Sequence, residues 1–211
     1  LEDQARALNP GFFKRMEQGL PYVRVKMATS LDGKTAMASG ESQWITGEEA
    51  RQDVQRLRAQ ADAILTGSGT VLDDNPSLNV RINSQELGIE DDKNIKLKQP
   101  LRVVLDSQLK IKTSAKMLSL SGDTLIVTCS EDTFKIKDLT EAGAEVKVMT
   151  SNEICLTETL QFLASREINE VHVEAGATLC GALLEEKYVD ELVIYMAPTI
   201  LGGDAKSLFN L

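Results

Sequence analysis

Residues Tyr22 to Asn79 set the limits on what this chain can fold into. From Tyr22 to Ala28, Val23, Val25 and Met27 alternate with Arg24, Lys26 and Ala28, the period-two pattern of a strand with two unlike faces. One face can enter a core while the other carries a functional lysine, Lys26. After a Gly/Ser-punctuated loop, Thr46 and Glu49 stand at capping-box spacing, and Ala50, Val54, Leu57 and Ala61 recur at helical spacing. This predicts an amphipathic helix over residues 47 to 60, with Arg58 at the border of its buried stripe. Ala63-Ile64-Leu65-Thr66 reads as a short buried strand ending in a turn at Gly67-Ser68-Gly69-Thr70, where a missing Cβ lets a backbone or a ligand come close. Strand, loop, helix, strand and glycine turn is the order by which open α/β sheets present amides to a phosphorylated ligand.

The same alternation continues to the end of the chain. Strand-like runs lie at 101 to 106, 124 to 129 and 145 to 149, with helical patterns at 131 to 142 and 157 to 167. Glu170 to Glu174 is a further strand that empties into Ala175-Gly176-Ala177-Thr178 before a helix over 178 to 187, and the last strand, Glu191 to Ala197, stops at Pro198. The expected class is α/β, with a mainly parallel sheet covered on both faces, αβα in three layers. Residues 83 to 99 read as an exposed polar loop. Residues 1 to 21, broken by Asn9-Pro10-Gly11 and closed by Gly19 and Pro21, read as a linker from something upstream, and both ends of the chain read as cut.

Charge narrows the partners. With a formal charge of −9 over 211 residues and scattered acidic groups, nonspecific binding to nucleic acid or to an anionic membrane is disfavoured. An anionic ligand must then be held by local basic groups. Cys129, Cys155 and Cys180 stand in apolar surroundings with no C-x-x-C, so the expectation is three buried thiols in a reducing cytoplasm, without disulfide or metal site. No apolar run is long enough to predict a membrane span.

Each candidate site residue has a plain structural reading beside its functional one. Gly67-x-Gly69 lacks the third glycine of a dinucleotide fingerprint, since position 72 is leucine. Gly176 after Glu174 is a better anion junction, because a glycine opening a helix frees first-turn amides. Trp44, the single tryptophan, either plugs a loop or stacks on a planar ligand. His172, the single histidine, sits between Val171 and Val173 with no triad partners in sequence and reads as structural. Arg58 and Arg81 are surface charges or a bidentate phosphate clamp. Glu174, a carboxylate at a strand end, reads as a recognition group rather than a packing one.

Taken together, SLDGKTA (30 to 36), GESQWIT (40 to 46), ILTGSGTVLDDNPSLNVR (64 to 81), VEAGATLCGALL (173 to 184) and VDELVIYMAPTILGG (189 to 203) resemble the reductase domain of the bacterial bifunctional riboflavin-biosynthesis deaminase/reductase family. The resemblance runs over residues 5 to 211. It implies a fold like dihydrofolate reductase, NADPH as cofactor, and reduction of 5-amino-6-(5-phosphoribosylamino)uracil at ribose C1. By motif, Ala28, Trp44, Thr70, Asp74, Ser107 and Gly176, Ala177, Thr178 and Leu179 match cofactor positions. Ser42, Arg58, Leu78, Arg81 and Glu174 match substrate positions, and Lys26 matches a lysine beside the reacting carbon; Lys26 and Glu174 are the catalytic candidates. The resemblance further implies a homodimer, a cytoplasmic enzyme, an upstream zinc deaminase domain and a further strand pair beyond Leu211. A dihydrofolate reductase proper and a non-catalytic NADPH-binding partner of a deaminase are the alternatives.

Overall fold

The structure is a computed structural model, and it describes residues 2–37, 47–88 and 97–211. Strand β1 (Tyr22–Ser30) is followed by the short β2 (Lys34–Ala36), helix α3 (Glu48–Gln60), β3 (Ala63–Gly67) and helix α4 (Ser68–Asp74). Then come β4 (Leu101–Leu105), β5 (Thr124–Thr128), α5 (Thr133–Glu141), β6 (Ala144–Val148) and α6 (Leu156–Ser165). The chain finishes with β7 (Glu170–Val173), α7 (Ala177–Glu185), β8 (Glu191–Ala197) and β9 (Lys206–Ser207). Among the described residues, seven strands form one parallel sheet in the order β6-β5-β4-β3-β7-β1-β8, and β2 with β9 makes a separate antiparallel ribbon.

Burial follows the alternation. Val23, Val25 and Met27 pack with Leu65, Val103, Val173 and the inner faces of α6 and α7, while Ile64, Val104 and Ile126 on the other face pack with Val71 of α4 and Leu139 of α5. The three-layer αβα arrangement expected from the sequence is therefore present. Helix α3 lies on the second face, because its Asp53 accepts from Tyr195, which shares a face with Lys26 and, through the strand register, with His172 and Ile64.

Four local readings change. The Gly67-Ser68-Gly69-Thr70 turn is instead the first turn of a seven-residue helix, which stops at Asn75 in a left-handed conformation before Pro76. Helix α3 starts at Glu48 with Gly47 in the N-cap position and no side-chain cap, and Thr46, the expected cap, lies outside the described residues. The buried stripe of α3 holds Val54, Gln55 and Arg58, not the row through Leu57, because polar partners await Gln55 and Arg58 on the sheet side. Cys180 is buried, but Cys129 and Cys155 are only partly so, each standing next to an element end rather than within the core.

The segment that reads as a linker forms two helices, α1 (Glu2–Leu8) and α2 (Pro10–Gln18), divided by Pro10 and ended by a left-handed Gly19. Helix α2 is docked. Gly11 touches the chain at Asn169, where a Cβ would lie 2.7 Å from the Asn169 carbonyl oxygen, and Arg15 Nε donates to Asn169 Oδ1 at 2.7 Å. These contacts, with Asp62 Oδ2 accepting from the amides of Asn169 and Glu170 at 2.8 and 3.1 Å, tie down the amino ends of the strands. The carboxyl ends stay open.

Candidate active site

A cleft of about 1010 Å³ opens at the carboxyl ends of β1, β3, β4 and β7, the side on which open α/β sheets bind ligands. Lys26 and Ala28 reach it from β1, Arg58 from α3, Gly67 through Thr70 with Asp74 from the β3–α4 junction, and Leu78 from the segment beyond. Glu174, Gly176, Ala177, Thr178 and Leu179 line the opposite wall. The fold thus gathers eleven of the residues that the resemblance matched to cofactor, substrate or catalytic positions, drawn from positions 26 to 179. Arg81 stands beside this group, and Ser107 is exposed just past the end of β4, off the cleft wall. Ser42 and Trp44 lie outside the described residues.

The glycines of both junctions face open space. Among the described residues, a Cβ built on Gly67, Gly69 or Gly176 would meet no atom within 4 Å, and none of the three has a positive φ. Neither packing nor backbone conformation requires glycine there. Gly181, in the same VEAGATLCGALL motif, has a different reason. Its Cβ would lie 2.0 Å from the carbonyl oxygen of Asn210, since the C-terminal segment crosses α7 at this point and Asn210 donates to Ala177 O and Thr178 Oγ1.

The polar centre is built on α3, β1, β7 and β8. Glu174 lies one residue past β7, where its amide still donates to Leu65 O at 3.0 Å, and its carboxylate takes a two-point hydrogen bond from Arg58: Nε to Oε1 at 2.6 Å and Nη2 to Oε2 at 2.9 Å. Burial alone would raise its pKa, but the Arg58 charge and hydrogen bonds outweigh that and hold it well below the usual carboxylate range. Glu174 thus lines the cleft while it is also held by a structural ion pair, a partner that the sequence reading did not give it. Under this pair lies His172, fully buried, with Nε2 at 3.5 Å from Glu174 Oε1 and neither ring nitrogen hydrogen-bonded among the described residues.

Burial pushes the Lys26 ammonium below its ordinary pKa; Glu174 opposes that shift and Arg58 adds to it. The Lys26 Nζ lies 5.7 Å from the centre of the Tyr195 ring, whose hydroxyl donates to Asp53 Oδ2 of α3 at 2.6 Å. Arg81 Nη1 donates to Asn79 Oδ1 at 3.1 Å, and partial burial with the nearby Arg58 lowers its pKa. The sequence reading missed Tyr195 and Asp53. Tyr195 is visible as an alternating position on β8, but only the register Ala28↔Tyr195 puts it on the face of Lys26. Asp32, inside the SLDGKTA motif, also went unassigned. Its carboxylate accepts from Ser30 Oγ at 2.6 Å, Gly202 N at 2.9 Å and Leu201 N at 3.1 Å, which pulls its pKa down to about 2 and binds the 30–36 motif to the ILGG motif.

The sequence model of the RibD C-terminal domain family matches residues 21–211. The chain belongs to the RibD C-terminal domain family. Among curated relatives, it is 46% identical over 213 residues to the riboflavin biosynthesis protein RibD of Haemophilus influenzae, covering 100% of this chain and 56% of that protein. It is 43% identical over 212 residues to RibD of Escherichia coli, covering 99% and 56%. The chain thus spans a little over half the length of the curated relatives it matches. Among solved structures, one form of Acinetobacter baumannii RibD superposes with a TM-score of 0.84 at 42% identity, covering 100% of this chain and 55% of that one. The Thermotoga maritima diaminohydroxyphosphoribosylaminopyrimidine deaminase/5-amino-6-(5-phosphoribosylamino)uracil reductase superposes at 0.79 with 27% identity, covering 99% and 53%. The riboflavin biosynthesis reductase Rib7 of Saccharomyces shares the RibD-type fold, with a TM-score of 0.69 at 24% identity and coverage of 94% and 86%.

Proposed function

We propose that this RibD C-terminal domain is an NADPH-dependent reductase that converts the ribose of 5-amino-6-(5-phosphoribosylamino)uracil into the ribityl chain of the product. The observation that carries this reading is one cleft with two unlike halves: two glycine junctions cleared of side chains, and a cluster of Lys26, Arg58, Glu174 and Arg81 beside them. The first half fits a dinucleotide, since the space that side chains would take at Gly67, Gly69 and Gly176 is open, and α7 brings first-turn amides to the wall. Thr70, Asp74 and Gly176 through Leu179 would hold the cofactor, with Ala28 at its reactive end. A bound nicotinamide would supply the hydride for ribose C1.

The protein's own part is binding, orientation and one proton. Arg81 holds the 5-phosphate by charge-assisted hydrogen bonds. Arg58 fixes the Glu174 carboxylate, and the remaining lone pairs of that carboxylate accept from ribose hydroxyls or a pyrimidine N–H. Lys26 donates a proton to the ribose ring oxygen as the C1–O bond opens and the nitrogen lone pair closes on C1, which leaves a protonated imine that a hydride at C1 would convert into the amine. Its burial lowers the cost of giving that proton up.

The reading extends to the whole protein as a zinc deaminase domain upstream, a cytoplasmic homodimer, and deamination before reduction. Purified chain mixed with the aminouracil substrate and NADPH is the test, followed by the loss of nicotinamide absorbance. Turnover with NADPH, weaker turnover with NADH, no ammonia release from the diamino precursor and no loss in chelator are expected. Preference for the diamino compound, or oxidation of NADPH only with dihydrofolate, would overturn the assignment.

A further inference from the structure

We propose that Gln55 and Gln99 are positioning residues that set Arg81 for an anionic group of the substrate. The inference rests on the reading of Arg81 as the phosphate anchor, and adds how the chain holds it in place. Residues 78 to 81 belong to no helix or strand, and Leu78 adopts a positive φ of 43°. Backbone polar groups of an irregular segment need partners that a ladder would otherwise give. Here side chains give them in sequence. Arg58 Nη1 donates to Asn79 O at 3.1 Å, Gln99 Oε1 accepts from Val80 N at 2.9 Å while its Nε2 donates to Val80 O at 3.0 Å, and Gln55 Oε1 accepts from Arg81 N at 2.8 Å.

Both glutamines are themselves fixed. Gln55 is 7% exposed in the middle of α3, where an unpaired amide is costly and an apolar side chain would pack as well, so the Arg81 amide accounts for its polar group. Gln99 precedes Pro100, which favours extended backbone, and its Cβ lies where Gly122 lacks one: a Cβ on Gly122 would come within 2.9 Å of it. With Leu78 and Val80 buried on the core side, the segment is pinned at successive residues and only the Arg81 side chain is left to reach outward. Both glutamines bond to the backbone of residues 80 and 81, and neither lines the cleft.

The experiment compares Gln55→Met, Gln99→Met, Arg81→Ala and the two double variants containing Arg81→Ala. KM for the phosphorylated substrate, kcat, and NADPH affinity by fluorescence titration are measured on each. Each glutamine variant is expected to raise KM about 10- to 100-fold, with kcat and NADPH affinity within about two-fold of the parent. The rise should vanish in the Arg81→Ala background, and Gln55→Glu, which keeps the acceptor oxygen, should restore KM. Unchanged KM in Gln55→Met and Gln99→Met beside a raised KM in Arg81→Ala overturns the positioning role alone, as do losses that add in the double variants. Unchanged KM in Arg81→Ala overturns the phosphate assignment and this inference with it. Should either Met variant fail to bind NADPH, Gln99→Glu, which loses only the donor to Val80 O, is read in its place against the same outcomes.

Discussion

Arg58 on α3 and Glu174 at the end of β7 meet across 116 residues of chain in a two-point ion pair, with both side chains largely shielded from water. Removing one member of a buried pair leaves an uncompensated charge, and the usual loss is about 3–5 kcal/mol. Arg58→Ala is therefore expected to destabilise the fold by about that much, measured by urea unfolding at pH 7. The Glu174 pKa is depressed in the folded state, so its contribution is complete above the ordinary carboxylate value of about 4.3 and fades as pH falls below it. The gap between parent and variant should narrow accordingly in acid. An equal gap at pH 7 and pH 3 would show that the pair is not its source.

Arg81→Ala separates recognition from stability. Arg81 is exposed as a residue, and its partly buried guanidinium bonds only to the neighbouring Asn79 side chain among the hydrogen bonds described, so unfolding should shift by no more than about 0.5 kcal/mol. Loss of charged hydrogen bonds to phosphate, about 1.5–3 kcal/mol, should weaken substrate binding roughly 10- to 150-fold and leave NADPH binding unchanged. Isothermal titration with each ligand checks both.

Lys26 gives an alkaline signature. Its folded pKa lies below the ordinary lysine value of about 10.4 because of burial, so between those two values the unfolded chain holds more protons and stability attributable to Lys26 rises with pH. Lys26→Met should thus keep or raise the melting temperature at pH 7 while lowering turnover. If the ammonium is the proton donor, kcat of the parent falls at a pH below about 10.4, and that limb is missing from the variant. An identical limb in Lys26→Met would assign the titration to another group.

Gly69, in the cleft wall, and Gly181, on α7 beneath the C-terminal segment, should answer oppositely to alanine. Gly69 lies inside α4 with open space at its Cβ, so Gly69→Ala should stabilise by about 0.5–1 kcal/mol and yet reduce NADPH affinity, because the methyl enters the cleft. Gly181→Ala would drive a methyl into the Asn210 carbonyl and should cost about 1–3 kcal/mol. Thermal melts and NADPH titrations on the two variants decide it. A Gly69→Ala chain with unchanged NADPH affinity would remove the β3–α4 junction from the cofactor site.

The thiols should label unequally. Burial pushes the Cys180 thiol up to about 11 and shields it, whereas Cys129 and Cys155 are partly exposed. Iodoacetamide at pH 8 followed by peptide mass spectrometry should modify Cys129 and Cys155 in the native protein, with Cys180 reacting only after unfolding. Native labelling of Cys180 would mean that α7 opens locally.

The sequence by itself determined the elements and the junctions. Val23, Val25 and Met27 alternate, Val171 and Val173 flank His172, and glycines end β3 and open α7; such patterns are local, and local chain geometry acts on them before any tertiary contact forms. Motif resemblance supplied the candidate residues, and the family match over residues 21–211 agrees with the family those motifs pointed to. What the tertiary structure decided was partnership. No local signal says that Arg58 closes on Glu174, that Gln55 receives the Arg81 amide, or that Tyr195 comes beside Lys26. Each depends on which strands are neighbours, and the order β3-β7-β1-β8 brings together strands far apart in sequence. The buried stripe of α3 departs from the row Ala50, Val54, Leu57 and Ala61 for the same reason: Gln55 and Arg58 are polar, and only the amide of Arg81 and the carboxylate of Glu174 make their burial favourable.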